Sequence, residues 1–520
     1  MKKIIISTLA VSALLLTTSC ENDFDTDVKD IQVTSGEANF SNYVALGNSL
    51  TSGYRDGALY SSGQNESYPS IIAMQMKLAG GGAFKQPLMP NDVGGFIGLP
   101  GFPGKLNLTV TSSGSLSPVP SSPAAALDDV SAGRPYQNMG VPGAKSFHLV
   151  APGYGSLANL ALGAANPYFV RFASSATTSV LQDAMLQKPT FFSLWIGNND
   201  VLSYATNGGT NSQTVGTVTT YTPAVVQTGN VNPLTYKSND ISDPNLVAGS
   251  IKGVLDGLKS VGTTKGVIGN IPYVTSIPFF TTVPYNPLTP TTLGANLATL
   301  NASLYGPLKQ ALTAFGAGDR INLLSSTSSN PVLIKDVALT DLGPQLTAAL
   351  TPSLGALTAA AFGQIFGQAR QATADDYVLL TTSSLIGTVA PGAPAPANVY
   401  GISYPLQNQH VLTKIEASYV KTAVDAYNAS IKSLADSYGL AFVDGNAKMI
   451  ELNGKSGITF DGVKYTAKFV TGGAFSLDGV HLTGRGYAVI ANEFIKSINA
   501  KYKSTLPQVD PNKYSGVKFP

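Results

Sequence analysis

The chain has 520 residues, enough for a large core, and its 32 basic and 30 acidic side chains nearly cancel. Charged residues make up 12%, about half the usual share, and no long basic cluster occurs, so nucleic-acid binding has no electrostatic footprint. A single cysteine, Cys20, excludes a disulfide within the chain and any centre built from several thiolates.

The N-terminus reads as an export signal. Lys2 and Lys3 precede the uncharged apolar run Ile4 to Leu16, which is shorter than the ~20 residues of a membrane span and ends in small polar residues. Leu16-Thr17-Thr18-Ser19-Cys20 resembles a lipoprotein signal, although Thr17 stands where that signal usually has Leu. The resemblance implies a signal peptide over 1–19, acylation of Cys20, and a tether over 20–38 containing the acidic stretch Glu21 to Asp30. Two or more acyl chains would hold the protein stably on a membrane. The expected location is therefore the cell envelope, on the outer membrane.

Beyond the tether, Tyr43-Val-Ala-Leu46 reads as a short buried strand ending at Gly47, and Tyr68 to Leu78 as a helix. Residues 80–132 are rich in Gly, Pro and Ser without lasting periodicity. Pro189 to Ile196 is a second strongly apolar run. After a Thr/Asn/Gly-rich stretch over 203–240 come a helical pattern (Leu246, Ile251, Val254, Leu255, Leu258) and a third strand, Gly266 to Ile271. The segment 283–405 separates these from a helix with apolar residues at Val411, Ile415, Val420, Val424, Tyr427, Ile431 and Leu434, followed by a strand over Leu440 to Val443. A last helix spans Tyr487 to Ile498, and 506–520 reads as a C-terminal tail. Strands alternating with helices predict an α/β fold with a parallel sheet and helices on both faces.

Three histidines occur, His148, His410 and His481, and only His481 has an aspartate three residues before it, in Leu477-Asp478-Gly-Val-His481. On a tight turn that spacing aims a carboxylate at one imidazole nitrogen and leaves the other free to take a proton. His148 and His410 are expected to be structural or surface residues. A nucleophile candidate, Ser49 in Leu46-Gly47-Asn48-Ser49-Leu50, directly follows the first strand, at the carboxyl edge where α/β proteins place their sites. Ile196-Gly197-Asn198-Asn199-Asp200 brings amide side chains to the same edge, and Asn138-Met-Gly140-Val-Pro-Gly143 offers backbone N–H groups. Such donors are what an oxyanion needs. The elbow G-x-S-x-G does not occur, and Gly454-Lys455-Ser456 lacks the first glycine of a phosphate-binding loop. Neither a cofactor nor a metal site is expected.

In order, G-N-S-L, N-x-G-x-x-G, G-N-N-D and D-x-x-H resemble the four blocks of the SGNH (GDSL-like) hydrolase family, framing the chain from Leu46 to Thr483. The resemblance implies a flavodoxin-like three-layer fold over 39–505. Its roles would fall on Ser49 as nucleophile, His481 as general base and Asp478 as orienting carboxylate. The oxyanion hole would comprise the N–H groups of Ser49 and Gly143 and the amide of Asn199. Asn48 departs from the usual Asp, Pro142 replaces a small polar residue, and the chain is much longer than typical members. The insertions, 80–132, 203–240 and 283–405, are therefore large. The last two follow strand carboxyl ends and are expected to wall or roof the site. Within the longest, Leu342 to Ala369 carries no charge; it reads as a buried helical hairpin or as an apolar lid. The expected activity is cleavage of a small-molecule, lipid or glycan ester. An acyltransferase with the same site and a non-catalytic binding lipoprotein are the alternatives.

Overall fold

The computed structural model describes residues 32–112 and 114–520. The signal peptide, Cys20 and the acidic stretch after it lie outside the described residues. Five strands, β1 (Tyr43–Gly47), β2 (Asn138–Gly140), β3 (Phe191–Trp195), β4 (Gly266–Gly269) and β5 (Ala441–Val443), form the central sheet. Their order is β2-β1-β3-β4-β5 and every neighbouring pair is parallel. The helices that frame the sheet are α1 (Tyr68–Leu78), α2 (Asn199–Thr206) and α3 (Pro244–Ser260) from the first half of the chain. From the second half come α6 (Lys414–Ser437), α7 (Gly445–Asn453) and α8 (Gly484–Tyr502), while α4 (Gly343–Leu354) and α5 (Ala356–Phe366) lie in the insertion over 283–405, away from the sheet.

Strand side chains alternate between faces, and both faces are covered. Val44, Leu46, Phe192, Leu194 and Ile268 pack with α2, α3, α6 and α7 in one core. Tyr43, Ala45, Phe191, Trp195, Val267 and Val443 pack with α1 and α8 in the other. The result is three layers. Strand order reverses direction between β1 and β3, which opens a crevice at their carboxyl ends. Ser49 and Asn199 lie directly beyond those two ends.

Gly140, at the end of β2, shows how closely the pieces approach. The short helical turn Ser49–Ser52 crosses directly over it, so a Cβ there would collide with the backbone of Thr51 and Ser52. Only glycine lets the turn carrying Ser49 settle onto the sheet.

The insertions differ from their expected placement. Residues 80–132 hold an antiparallel hairpin, Leu106–Val110 with Leu116–Pro120, over a small cluster around Phe96 and Met89. Residues 203–240 hold a mostly exposed hairpin, Thr210–Val215 with Val218–Pro223. Residues 283–405 fold around a core of their own, which includes Tyr305, Leu312, Val332, Leu346 and Phe366. Within it Arg370 bridges two buried carboxylates, Asp336 and Asp376, each at 2.7 Å. The uncharged stretch is the helical hairpin α4–α5, packed through Leu346, Ala359 and Phe366, with its tip exposed at Leu354 and Leu357. The two later insertions do not roof the site. The longer one closes on its own core and approaches the Asp478 turn through Leu380, beside Gly479, while the shorter one leaves Val215, Val218 and Leu234 exposed. No described helix is long and apolar enough to cross a membrane.

The packed body also starts before residue 39. Thr34 donates its N–H to Thr505 Oγ1 at 2.8 Å, Glu37 pairs with Lys503, and Ala38 is buried. Replacing Gly140 by Ala should lower stability by about 1–3 kcal/mol, the usual cost of overpacking, because backbone rather than a flexible side chain blocks the methyl group. An unchanged denaturant midpoint would contradict the close approach described for this turn.

Candidate active site

The turn after β1 presents Ser49. Asn48 caps the helical turn, its Oδ1 accepting the Leu50 N–H at 3.1 Å, and its Nδ2 donates to Asn198 Oδ1 at 3.4 Å. An aspartate could make the first bond but, once ionised, could not donate the second. The asparagine thus joins the loops that follow β1 and β3. Ser49 is 7% exposed, and its Oγ lies 2.9 Å from His481 Nε2 across 432 residues of chain.

His481 Nδ1 lies 2.8 Å from Asp478 Oδ2. Asp478 receives four further donors: Ser476 Oγ at 3.0 Å and the N–H groups of Val480, His481 and Gly57 at 2.8–2.9 Å. Burial alone would raise the Asp478 carboxyl, but electrostatic attraction to the adjacent His481 ring and the hydrogen bonds from His481 and Val480 hold it well below the usual carboxylate range. An ionised carboxylate only accepts, so Nδ1 must carry the imidazole proton. Nε2 is then the acceptor for the Ser49 hydroxyl. The ring of Tyr54 packs on His481 with centroids 4.7 Å apart.

A second layer of bonds fixes this turn. Asp56, at φ +53°, donates its N–H to Ser476 Oγ at 3.0 Å. Its carboxylate accepts the Leu477 N–H at 3.0 Å and the Tyr60 hydroxyl at 2.7 Å. Phe279 donates its N–H to the Gly479 carbonyl at 2.9 Å. Ser476, Asp56 and Tyr60 carried no recognisable pattern in the sequence, because each acts through a contact more than 400 residues away in the chain or through an ordinary turn.

The donor side is assembled from two loops. Val141 donates its N–H to the Gly47 carbonyl at 3.0 Å, fastening the loop after β2 to the end of β1. Gly143 follows in the left-handed region at φ +81°, exposed. Its N–H, like that of Ser49, makes no hydrogen bond among the described residues. The Asn199 side chain donates one N–H to the Ala144 carbonyl at 3.0 Å. A primary amide has two donors, so one remains. Asp200, fully buried, accepts the Ser146 N–H at 2.8 Å and the Ser146 hydroxyl at 2.9 Å, locking the Gly143 loop to the start of α2. The final residue of the G-N-N-D segment is thus a positioning group, a role its sequence position alone did not reveal.

His148 and His410 stand apart from this cluster. His148 stacks on Tyr154 with centroids 4.4 Å apart, its Nδ1 accepts the Lys145 N–H, and burial followed by the nearby Lys145 charge pushes its pKa down to about 3. His410 packs against Tyr400, and burial lowers its pKa to about 4. Both are structural.

Asp478 also links the site to stability. Its folded-state pKa is depressed, so the unfolded chain binds more protons as the pH falls through the carboxylate range. Its contribution is present above the unfolded pKa and is lost as the pH falls toward the folded one. Asp478→Asn should therefore lose less stability than the parent between about pH 5 and pH 3, measured by urea unfolding. Equal losses in the two proteins would contradict an ionised, multiply bonded carboxylate here.

Compared with protein-family models, curated proteins and solved structures, the chain matches none.

Proposed function

We propose that the protein is a serine ester hydrolase of the SGNH type, working through an acyl-enzyme on Ser49. The observation that carries this reading is the continuous path from Ser49 Oγ to His481 Nε2 at 2.9 Å and from Nδ1 to Asp478 at 2.8 Å. It stands beside two N–H groups and an amide with donor capacity to spare.

The chemistry follows from proton bookkeeping. His481 Nε2 takes the Ser49 proton as Oγ attacks the ester carbonyl carbon. Asp478 stabilises the imidazolium and does not itself take the proton. Negative charge collects on the former carbonyl oxygen, where the N–H groups of Ser49 and Gly143 and the free N–H of Asn199 act as donors. The bond to the leaving oxygen breaks, and His481 returns the proton to the departing alcohol. Water then enters, gives a proton to Nε2 and attacks the acyl carbon, releasing the acid and restoring Ser49. A non-catalytic scaffold would need neither the aligned imidazole nor spare donors. The lipoprotein-like signal ending at Cys20 adds a membrane-anchored envelope location to the proposal.

Purified protein should hydrolyse p-nitrophenyl acetate or butyrate, with Ser49→Ala lowering kcat by about 10⁶-fold. Asn199→Ala should cost about 10²–10³-fold in kcat, the usual effect of removing one oxyanion donor. Ester cleavage at equal rates with and without the Ser49 hydroxyl would overturn the reading. Preferential formation of a new ester when an alcohol is added would redirect it to acyl transfer.

A further inference from the structure

A cavity opens at Ser49 and His481 and runs into the protein between the ends of β3, β4 and β5, α7 and the start of α8. Its accessible volume is about 100 Å³, room for a short run of methylene groups rather than for a bulky ligand. Its polar groups are not spread evenly. Asn48, Ser49, Asn198, Asn199 and His481 gather around the reacting hydroxyl. The rest is apolar wall: Val274 and Ile277 beyond β4, Met449 and Leu452 on α7, Phe475 before the Asp478 turn, and Ile490 on α8.

Two further polar groups touch the lining, and both are already engaged. The Trp195 indole N–H donates to the Asn270 carbonyl at 2.9 Å. The Lys448 ammonium lies 2.6 Å from Glu451 and 3.3 Å from Glu493, neither of which lines the cavity, so Lys448 offers only its aliphatic stem. A sugar or a charged group entering this space would lose its water and find almost nothing to bond, which is costly. A hydrocarbon chain would gain from leaving water.

We propose that this cavity holds the acyl chain of the substrate, so that the preferred esters are those of unbranched short- to medium-chain carboxylic acids. The inference rests on the ester-hydrolase reading above. The acyl part is assigned because it stays covalently on Ser49 Oγ while the alcohol departs and water takes its place beside His481. A pocket walled by α7 and α8 suits the group that stays. Most of the wall belongs to the segment from Gly445 to Ile490, the rest to Trp195, Leu202 and the stretch from Pro272 to Ile277, and none of it to either of the large insertions after β3 and β4.

The test uses full-length protein and p-nitrophenyl esters of acetate, butyrate, hexanoate and octanoate, kept below their aggregation limits, with alkyl acetates of matching length as a second arm. kcat/KM should rise with acyl length by up to about fourfold per buried methylene, and little with alcohol length. Met449→Trp and Leu452→Trp, checked for folding by circular dichroism, should each lower the octanoate-to-acetate ratio. A flat or falling acyl profile with acetate still cleaved through Ser49 would overturn the acyl assignment and leave the hydrolase reading intact. So would a rise with alcohol length instead, or unchanged ratios in both folded variants. Absence of any Ser49-dependent cleavage would overturn the underlying reading together with this one.

Discussion

The carboxylate of Asp478 holds the site together. It accepts the His481 imidazole and four other donors, one of them from Gly57 in the opposite end of the chain. Five donors keep the group ionised in a mostly buried place, and an ionised carboxylate dictates which imidazole nitrogen carries the proton. The orientation of His481, and with it the basicity available to Ser49, follows from that one constraint. Where the donors come from matters as much as their number. Ser476, Val480 and His481 belong to one tight turn, whereas Gly57 belongs to the loop just after the Ser49 helical turn, so the same oxygen that holds the His481 ring also joins it to the segment carrying Ser49.

The parallel sheet supplies the rest of the placement. Because β1 and β3 are neighbours in register, with Gly47 opposite Trp195, the loops after them emerge side by side. Asn48 and Asn198 tie these loops to each other, and Val141 and Asp200 tie in the loop after β2. Each functional group therefore sits on a short connection whose two ends are fixed in the core, the arrangement that best resists drift of a site. The apolar cavity beside Ser49 is a product of the same layering. Its lining comes from the loops beyond β3, β4 and β5, from α7 and from the start of α8.

Much of this was legible in the sequence, for identifiable reasons. Four of the five strands read as short apolar runs because both faces of the sheet are buried, β2 being missed because Asn138-Met-Gly140 is too short and polar to stand out, and α6 and α8 read as helices because their buried residues recur at helical spacing. Their observed spans, Lys414–Ser437 and Gly484–Tyr502, differ from the expected ones mainly at the ends, where capping by Thr413 and Thr483 sets the first turn. The meeting of Ser49, Asp478 and His481 was foreseeable since few histidines compete and each residue borders a strand end or tight turn. The insertions were misplaced for a physical reason. Position after a strand suggests a roof over the crevice, but residues 283–405 contain enough apolar side chains, and the Arg370 bridge, to close a core of their own. The cavity walls were invisible because Met449, Leu452, Phe475 and Ile490 look like ordinary core positions in a linear reading.

Covalent labelling with a p-nitrophenyl alkylphosphonate, read by peptide mass spectrometry, tests the central claim most directly. An activated serine beside an oxyanion hole displaces p-nitrophenol from such a reagent, whereas an unassisted hydroxyl does not. The account predicts one phosphonyl group per chain, on Ser49, with none on the Ser49→Ala protein. A folded protein that takes no label, or one that carries the label on another residue, would contradict it.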